Sequence, residues 1–404
     1  MRRFDVVVVG AGPAGLSAAA ELSASGTCLL LEQGPHASVR DRGSAQDVLT
    51  GVGGAGLFSD GKHSFFPSAT ALWQLPDRDA LGGAYDATVQ LLRAHGIDGG
   101  PLPDAAPPPS TNGGWQAKHY PSLYVPFAER LACIEQLWTA CGDRWSNARV
   151  IRAERVRGGL VLQIEYNGRF EEIATDQLVI ATGRWSPRWI RTWLEPLGVA
   201  FAYRRAELGV RIELDATHPM FERLPGVDGK LVLEDGELEV RTFCTCRGGE
   251  VVLGKAGGVR AYSGRADGPT TRKSNVGIVV RSADPAFGHA VAPVYSAAPV
   301  QLALAEWIGT GPTRLDGVFG PVGARAVWRG LQHFLRWAPE LGSARATVYA
   351  PAIEGVGDYP VDDGGLAIAP RVWIAGDAGG RFRGIVASMV SGRYIARRIR
   401  SRAG

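Results

Sequence analysis

An α/β fold is predicted for this 404-residue chain: a parallel sheet with helices, an antiparallel β excursion, and an inserted α+β unit. Three stretches predict it. The first, FDVVVVGAGPAGLSAAAELSASGTCLLLEQ (Phe4 to Gln33), reads as buried strand, glycine turn, helix, second strand and acid. The second is the apolar run Gln177 to Ala181, which stops on Thr182 and Gly183; the third is Arg371-Val-Trp-Ile-Ala-Gly-Asp377. Strands that end on small residues make room for a flat or charged group at their carboxyl ends, the usual ligand edge of a parallel sheet.

In the first stretch Gly10, Gly12 and Gly15 have separate tasks. Gly10 permits the turn, Gly12 admits a pyrophosphate to the backbone, and Gly15 lets the helix pack closely on the strand. Pro13 opens the helix beside the phosphate site, where its missing N–H is harmless, and the helix N-terminus from Ala14 onward offers amides to phosphate. Glu32 follows Gly15 by 17 residues, and Gln33 comes next. That spacing suits a carboxylate accepting from a ribose diol.

Next comes an Arg-containing stretch, His36 to Arg42, and then Gly51-Val-Gly-Gly-Ala-Gly-Leu-Phe-Ser-Asp-Gly-Lys62. So many glycines build neither a good helix nor a good strand. Following directly on a nucleotide-binding unit, the loop is read as a ligand contact. A helix is predicted over Asp86 to His95, a Pro-rich surface excursion over 101–114, and a helix within Pro126 to Arg144 from the spacing of Phe127, Leu131, Ile134, Leu137 and Trp138. Alternation of period two from Arg149 to Tyr166, with a turn at Gly158-Gly159, gives a hairpin. Beyond residue 200, strands are expected at Val210 to Leu214, Lys230 to Glu234, Val240 to Cys246 and Gly277 to Val280. Helices are expected at Val300 to Ile308 and from Ile385 to Arg400. The chain divides on this reading into 1–200 with 346–404, and an inserted unit at 201–345.

Composition narrows the function. A hydrophobic fraction of 45% and a charged fraction of 21% are those of an ordinary globular protein. A net charge of +4 without a basic stripe gives no nucleic-acid footprint. The run Arg397, Arg398, Arg400 and Arg402 suits a helix C-terminus. No apolar run reaches the roughly 18 residues of a membrane span. The glycine fingerprint and Asp5 argue against a signal peptide. Five cysteines do not form a secreted disulfide framework, so a reduced, cytoplasmic setting is expected. Seven scattered His show no recognised ligand spacing, and no metal site is expected.

The fingerprint ending on Glu32, Ala181-Thr182-Gly183 and Gly376-Asp377 together resemble flavoproteins of the glutathione-reductase-like, Rossmann-like FAD-binding fold. GGAGLFSDGK (Gly53 to Lys62), ATGRWSPRW (Ala181 to Trp189), LGVRIE (Leu208 to Glu213), RTFCTCRGGEVV (Arg241 to Val252) and YSGR (Tyr262 to Arg265) resemble the motif series of a family of FAD-dependent dehydrogenases. The likeness spans residues 5 to about 265 and 371 to 400. It departs where Arg247 precedes Gly248, at 101–114, and over 300–360.

The resemblance implies FAD, with Gly10, Gly12, Gly15 and Glu32 on the ADP half and Gly376-Asp377 near the ribityl chain and pyrophosphate. Gly53, Gly54, Ala55, Gly56, Ser59 and Asp60 of the glycine-rich loop join the cofactor set, and Val150 is expected against adenine. A helix starting near Gly384-Ile385 would aim amides at the flavin pyrimidine edge, where reduction places negative charge.

For chemistry, Lys62 and His63 are candidates for a proton donor or anion partner at the isoalloxazine, against an exposed loop pair. Cys244 and Cys246, at i and i+2, would face one way on a strand; a redox pair stands against two small packed residues. Arg184, Arg211, Arg265 and Arg383 each adjoin a cofactor motif and suit a substrate anion, against ordinary ion pairs. Tyr262, Glu354 and His119 are further acid–base candidates. Trp185, Trp189 and Trp193, at spacing four, read as a helical core stripe. The expected activity is oxidation of a small organic metabolite by hydride transfer to flavin N5. An NAD(P)H-dependent monooxygenase or reductase that meets nicotinamide only transiently is the alternative, since no second G-x-G-x-x-G follows a strand. A FAD-holding redox sensor without turnover is the third reading.

Overall fold

The computed structural model describes residues 1–105, 107–266 and 268–403. Its N-terminal strand, helix and second strand run Arg2–Val9, Pro13–Ser23 and Cys28–Leu31. Val6 to Val9 are all buried because both faces of the sheet are covered. Val6, Val8 and Leu30 enter one core; Val7, Val9, Leu29 and Leu31 enter another. This two-sided burial is what an unbroken apolar run signals in a parallel sheet.

The register aligns the strand ends. Val9 stands opposite Leu31 on one side and Ile180 on the other, and Ile180 stands opposite Ile374. The strands Arg2–Val9, Cys28–Leu31, Arg169–Ile180 and Val372–Ile374 are parallel neighbours and so finish at one level. Asp143–Trp145 extends the sheet in parallel beside Cys28–Leu31. The expected hairpin is present as Ala148–Val156 and Gly159–Tyr166, and it feeds Arg169–Ile180. Close helix packing follows from two glycines. A Cβ on Gly15 would lie 1.8 Å from the Gly10 carbonyl oxygen. One on Gly392, in the C-terminal helix Ile385–Ala403, would lie 2.0 Å from the Ala14 oxygen.

A second, antiparallel sheet runs in the order Val300–Ala303, Thr347–Pro360, Phe201–Asp215, Lys273–Ser282, Leu238–Cys246, Leu231–Asp235, Trp115–Ala117 and Ser110–Asn112. Its membership crosses the divisions read from the sequence, taking in 110–117 and 347–360. Residue 106 of the Pro-rich excursion lies outside the described residues. The excursion's far end is a hairpin at the edge of this sheet, pairing Leu231 with Ala117. The core of the second sheet includes Val210, Ile278, Val240 and the helix Asp316–Trp337, which contributes Phe319, Val327 and Phe334.

Several elements differ from expectation. The helix placed at Asp86 to His95 is Arg78–Ala94, capped by Asp77 through a 3.0 Å bond from the Ala80 amide. Gly82 and Gly83 obscure its first half. Gly83 has a packing reason, since a Cβ there would lie 2.5 Å from Arg397 Nη1, whereas a Cβ on Gly82 would meet nothing within 4 Å. Val300 to Ile308 is not all helix: Val300–Ala303 is a strand paired with Thr347–Pro360, and the helix is Leu304–Thr310. The long helix Asp316–Trp337 was not expected. Gly320, at φ 69°, and Pro321 break its first turn and hide its periodicity. Trp185 precedes the helix Pro187–Leu194, so the three tryptophans are not one helical stripe. Trp185 belongs to the second-sheet core and Trp193 to the first. Among the described residues no helix is long and apolar enough to cross a membrane.

Candidate functional site

A cavity of about 1720 Å³ opens at the aligned carboxyl ends of the parallel strands. That exceeds the roughly 300–1,000 Å³ of an ordinary small-ligand pocket, leaving room for more than one bound molecule. Its wall begins at Gly10, Gly12, Pro13 and Ala14 after the first strand, Glu32 and Gln33 after the second, and Ala181, Thr182 and Gly183 after Ile180. Gly376, Asp377, Gly384 and Ile385 border it from the last strand and helix, and Val150 from the hairpin. Gly10 has φ +103°, and a Cβ there would lie 2.5 Å from the Ala181 oxygen. Gly12 is different: the nearest atom to a Cβ would be Gly54 Cα at 3.9 Å, so its open side is the cavity. Gly15 is behind the turn, where helix meets strand.

Glu32 is buried and organises the turn. Its Oε2 accepts from the Ala11 amide at 2.8 Å, and its Oε1 from Gly34 at 2.9 Å and Gly51 at 3.1 Å. A carboxylate offers about four acceptor sites, so these three bonds leave capacity for a ribose hydroxyl.

The glycine-rich loop is held from outside by two arginines that sequence reasoning missed. Arg40 donates from Nη1 to the carbonyls of Val52 at 2.8 Å and Gly54 at 3.0 Å. Burial pushes its guanidinium down to about 10, opposed by Glu32 and Asp47. Arg130 donates to the Leu57 carbonyl at 2.7 Å. Neither residue stands in a recognisable motif, and the sequence carries no signal that either reaches the loop. Gly54, Ala55, Gly56, Ser59 and Asp60 border the cavity, whereas Gly53, at φ 90°, packs on Leu57 and Ile134.

Asp377 occupies the opposite wall. Its Oδ2 accepts from Arg184 Nε at 3.0 Å and Arg383 Nε at 3.4 Å. Its Oδ1 is buried with no hydrogen-bond partner in the protein. A buried carboxylate oxygen is costly unless a donor reaches it. A ribityl hydroxyl of FAD fits that requirement, and the open face of Gly12 fits the pyrophosphate.

Arg184 and Arg383 are internal ion-pair residues and not free anion receptors, the less functional of the two readings. Arg184 also bonds Glu354; Arg383 reaches Glu354 Oε2 at 3.0 Å and Glu207 Oε2 at 3.3 Å. Burial disfavours the Glu207 carboxylate, but Arg383, Arg241 and Arg205 together hold it well below the usual range. Glu354 is thereby committed to structure.

Four further expectations need correction. His63 lies on the strand Lys62–Ser64, where Lys62 and Ser64 face the cavity and His63 points away from it. Burial pushes His63 down to about 4. Arg265 does not line the cavity; Glu250 at 2.8 Å and the Arg42 carbonyl at 2.8 Å hold it. Arg211 is fully buried beneath the cavity wall, bonded to Asn275 Oδ1 at 2.9 Å and the Cys244 carbonyl at 2.6 Å. His119 is in a separate cleft of about 290 Å³. Tyr262 borders the main cavity.

Lys62 is a buried cation between two carboxylates, with Nζ 2.8 Å from Asp60 Oδ2 and 2.6 Å from Asp228 Oδ1. Burial opposes its charge, yet Asp228 and Asp60 raise its pKa well above the ordinary lysine value. It is therefore a fixed charge and no proton donor. Cys244 lines the cavity and Cys246 is buried behind it. Lys118 and Lys230, also missed from the sequence, border both cavities. Burial, with repulsion from Arg241, pushes Lys230 down to about 7.

The family model described as FAD binding domain matches residues 5–206. No curated protein matches the chain. Among solved structures, AlpK is 16% identical over 97% of this chain and 60% of its own, with a TM-score of 0.43. A geranylgeranyl bacteriochlorophyll reductase-like protein from Thermoplasma acidophilum is 13% identical, covering 100% and 79%, with a TM-score of 0.47. Aklavinone-11 hydroxylase, solved with FAD and aklavinone, is 16% identical, covering 100% and 64%, with a TM-score of 0.45. The chain thus spans only about three fifths of AlpK. Likeness at this distance says nothing about substrate.

Proposed function

We propose that this chain, which belongs to the FAD binding domain family, is a FAD-dependent oxidoreductase that dehydrogenates a small organic acid. The observation that carries this reading is the pair Lys118 and Lys230. Among the described residues both ε-amines lack an ion pair or hydrogen bond, and both border the cavity that holds the cofactor. Lys118 is among the charges that lower the pKa of Lys230, and the two line the same two cavities. Lys118, the more exposed, holds the substrate carboxylate. Lys230, poised near neutrality, takes the proton that leaves the oxidised carbon's hydroxyl or amine.

FAD supplies the hydride acceptor, N5. Gly12 and Ala14 receive its pyrophosphate, Glu32 its ribose and Val150 its adenine, while Asp377 Oδ1 takes a ribityl hydroxyl. Residues 1–200 and 346–404 form the cofactor-holding unit on this reading. Residues 201–345 form the substrate unit, whose sheet recruits strands from 110–117 and 347–360.

An anaerobic screen tests the proposal. Hydroxy and amino acids are mixed with the flavin-loaded protein, with NADH and NADPH as parallel arms. Bleaching of the flavin by an organic acid alone is expected, with Lys230→Met slowing it by about 10²–10⁴ and Lys118→Met weakening binding. Bleaching by a nicotinamide alone would replace this reading with the transient-nicotinamide monooxygenase or reductase. No bleaching by any donor, with a stable protein partner captured, would replace it with a non-catalytic redox sensor.

A further inference from the structure

The strand Leu238–Cys246 pairs regularly with Lys273–Ser282 as far as Phe243 opposite Gly277, and then Cys246 falls opposite Asn275. Three steps on one strand answer two on the other, which is a β-bulge. Cys244 sits in it at φ 47°, a left-handed conformation that non-glycine residues rarely adopt. On a regular strand the two side chains would stand a full repeat apart on one face. The bulge instead turns them together, with the sulfurs 3.7 Å apart.

Their surroundings are built around that approach. Asp60 Oδ2 is 3.0 Å from Cys244 Sγ and 3.9 Å from Cys246 Sγ, so one carboxylate oxygen serves both thiols. Lys62 holds the same oxygen at 2.8 Å. Arg211 lies beneath, with Nη2 3.7 Å from Cys246 Sγ. Gly264 closes over the buried thiol, since a Cβ there would lie 2.5 Å from Cys246 Sγ. Cys244 faces the cavity and Cys246 does not, an arrangement of one accessible and one resolving thiol. Asp60, Cys244 and Cys246 also bring their ligand atoms within 4.8 Å of one another, close enough for a soft metal. Two fixed cations, Lys62 and Arg211, touching those same atoms oppose a divalent ion.

We propose that Cys244 and Cys246 are a reversible dithiol–disulfide couple that exchanges two electrons with the flavin. In the oxidising direction both S–H bonds break and one S–S bond forms. Two electrons and one proton pass to oxidised FAD, and the second proton passes to Asp60. The sulfurs close from 3.7 Å to about 2.0 Å. The oxidant rests on the FAD reading; the couple itself does not.

The test counts thiols in the whole protein. Flavin-loaded and flavin-free samples are equilibrated anaerobically in reduced-to-oxidised dithiothreitol mixtures, alkylated under denaturing conditions and weighed by mass spectrometry. Flavin content is read from absorbance, and metal by elemental analysis. The peptide spanning 242–247 is expected to lose two alkyl groups together along a single two-electron curve in both samples. Cys28, Cys133 and Cys141 remain fully alkylated as internal controls. Pre-reduced, desalted protein loaded with oxidised FAD is expected to lose yellow colour as that pair of thiols disappears, and Cys244→Ser to keep both colour and its remaining thiol. Wild-type thiols that stay fully alkylated in oxidised dithiothreitol, in protein that binds flavin, overturn the couple. One zinc per chain, lost in Cys244→Ser, overturns it in favour of a metal site. Paired thiols in protein that binds no flavin would uphold the couple and remove FAD as its oxidant.

Discussion

Lys62 Nζ and Asp228 Oδ1 meet at 2.6 Å across 166 residues, joining the glycine-rich loop to the second sheet's side of the cavity. Asp60 holds the same ammonium at 2.8 Å, and Tyr120 donates to the other oxygen of Asp228. Lys62→Met would strand two carboxylates in a buried setting. Breaking a buried pair in this way costs about 3–5 kcal/mol, measured by urea unfolding of the flavin-free protein. Lys62→Met combined with Asp60→Asn and Asp228→Asn is expected to recover much of the loss.

Gly12 and Gly15 separate binding from folding. Gly15→Ala forces a Cβ to 1.8 Å from the Gly10 oxygen, and a loss of about 1–3 kcal/mol is expected, more if the helix cannot shift. Gly12→Ala meets no protein atom nearer than 3.9 Å, so unfolding changes by less than about 0.5 kcal/mol while FAD affinity falls. Parallel thermal melts and flavin titrations check the pair.

His63 carries an acid-side prediction. Its folded pKa is lowered, from 6.5 to about 4, by burial first, with the hydrogen bond from its ring to the Gly61 carbonyl opposing. Between those values the unfolded chain binds the proton and the folded one does not. Stability therefore rises with pH across the window and falls as the solution is acidified below about 6.5. The total is about 3 kcal/mol for this one group. His63→Gln should flatten that part of the stability–pH curve.

Lys230 gives the basic-side counterpart. Its folded value is lowered from 10.5 to about 7, so between these the unfolded chain again holds the extra proton. Stability should increase as pH rises from 7 towards 10, and Lys230→Met should remove the increase. Reductive methylation with carbon-13 and NMR titration reads the amine directly; a titration near 7 in the wild type, absent in the variant, is expected.

The cofactor half of the fold was legible because its signals are local. Val6 to Val9, Gly10, Gly12, Gly15 and Glu32 state strand, turn, helix and acid within one short stretch, and the ends Ala181 and Gly376 repeat the small-residue pattern. The second sheet was readable only in part, since its strands were apparent while their order depends on pairings between residues far apart. Arg40 and Arg130 earn their place by reaching carbonyls of a distant loop, which no spacing records. His63 and Arg265 were misplaced for a related reason: each adjoins a cavity residue in sequence while its side chain turns elsewhere. Cys244 and Cys246 depended on a bulge invisible in the pattern of alternation.

The four aligned strand ends are expected to build a FAD site. Fluorescence-quench titration of flavin-free protein with FAD tests it most directly. Saturation at one FAD per chain is expected, with weaker binding in Gly12→Ala and in Asp377→Asn at undiminished folding of the former. Folded wild-type protein that neither retains flavin on purification nor quenches added FAD saturably would contradict it.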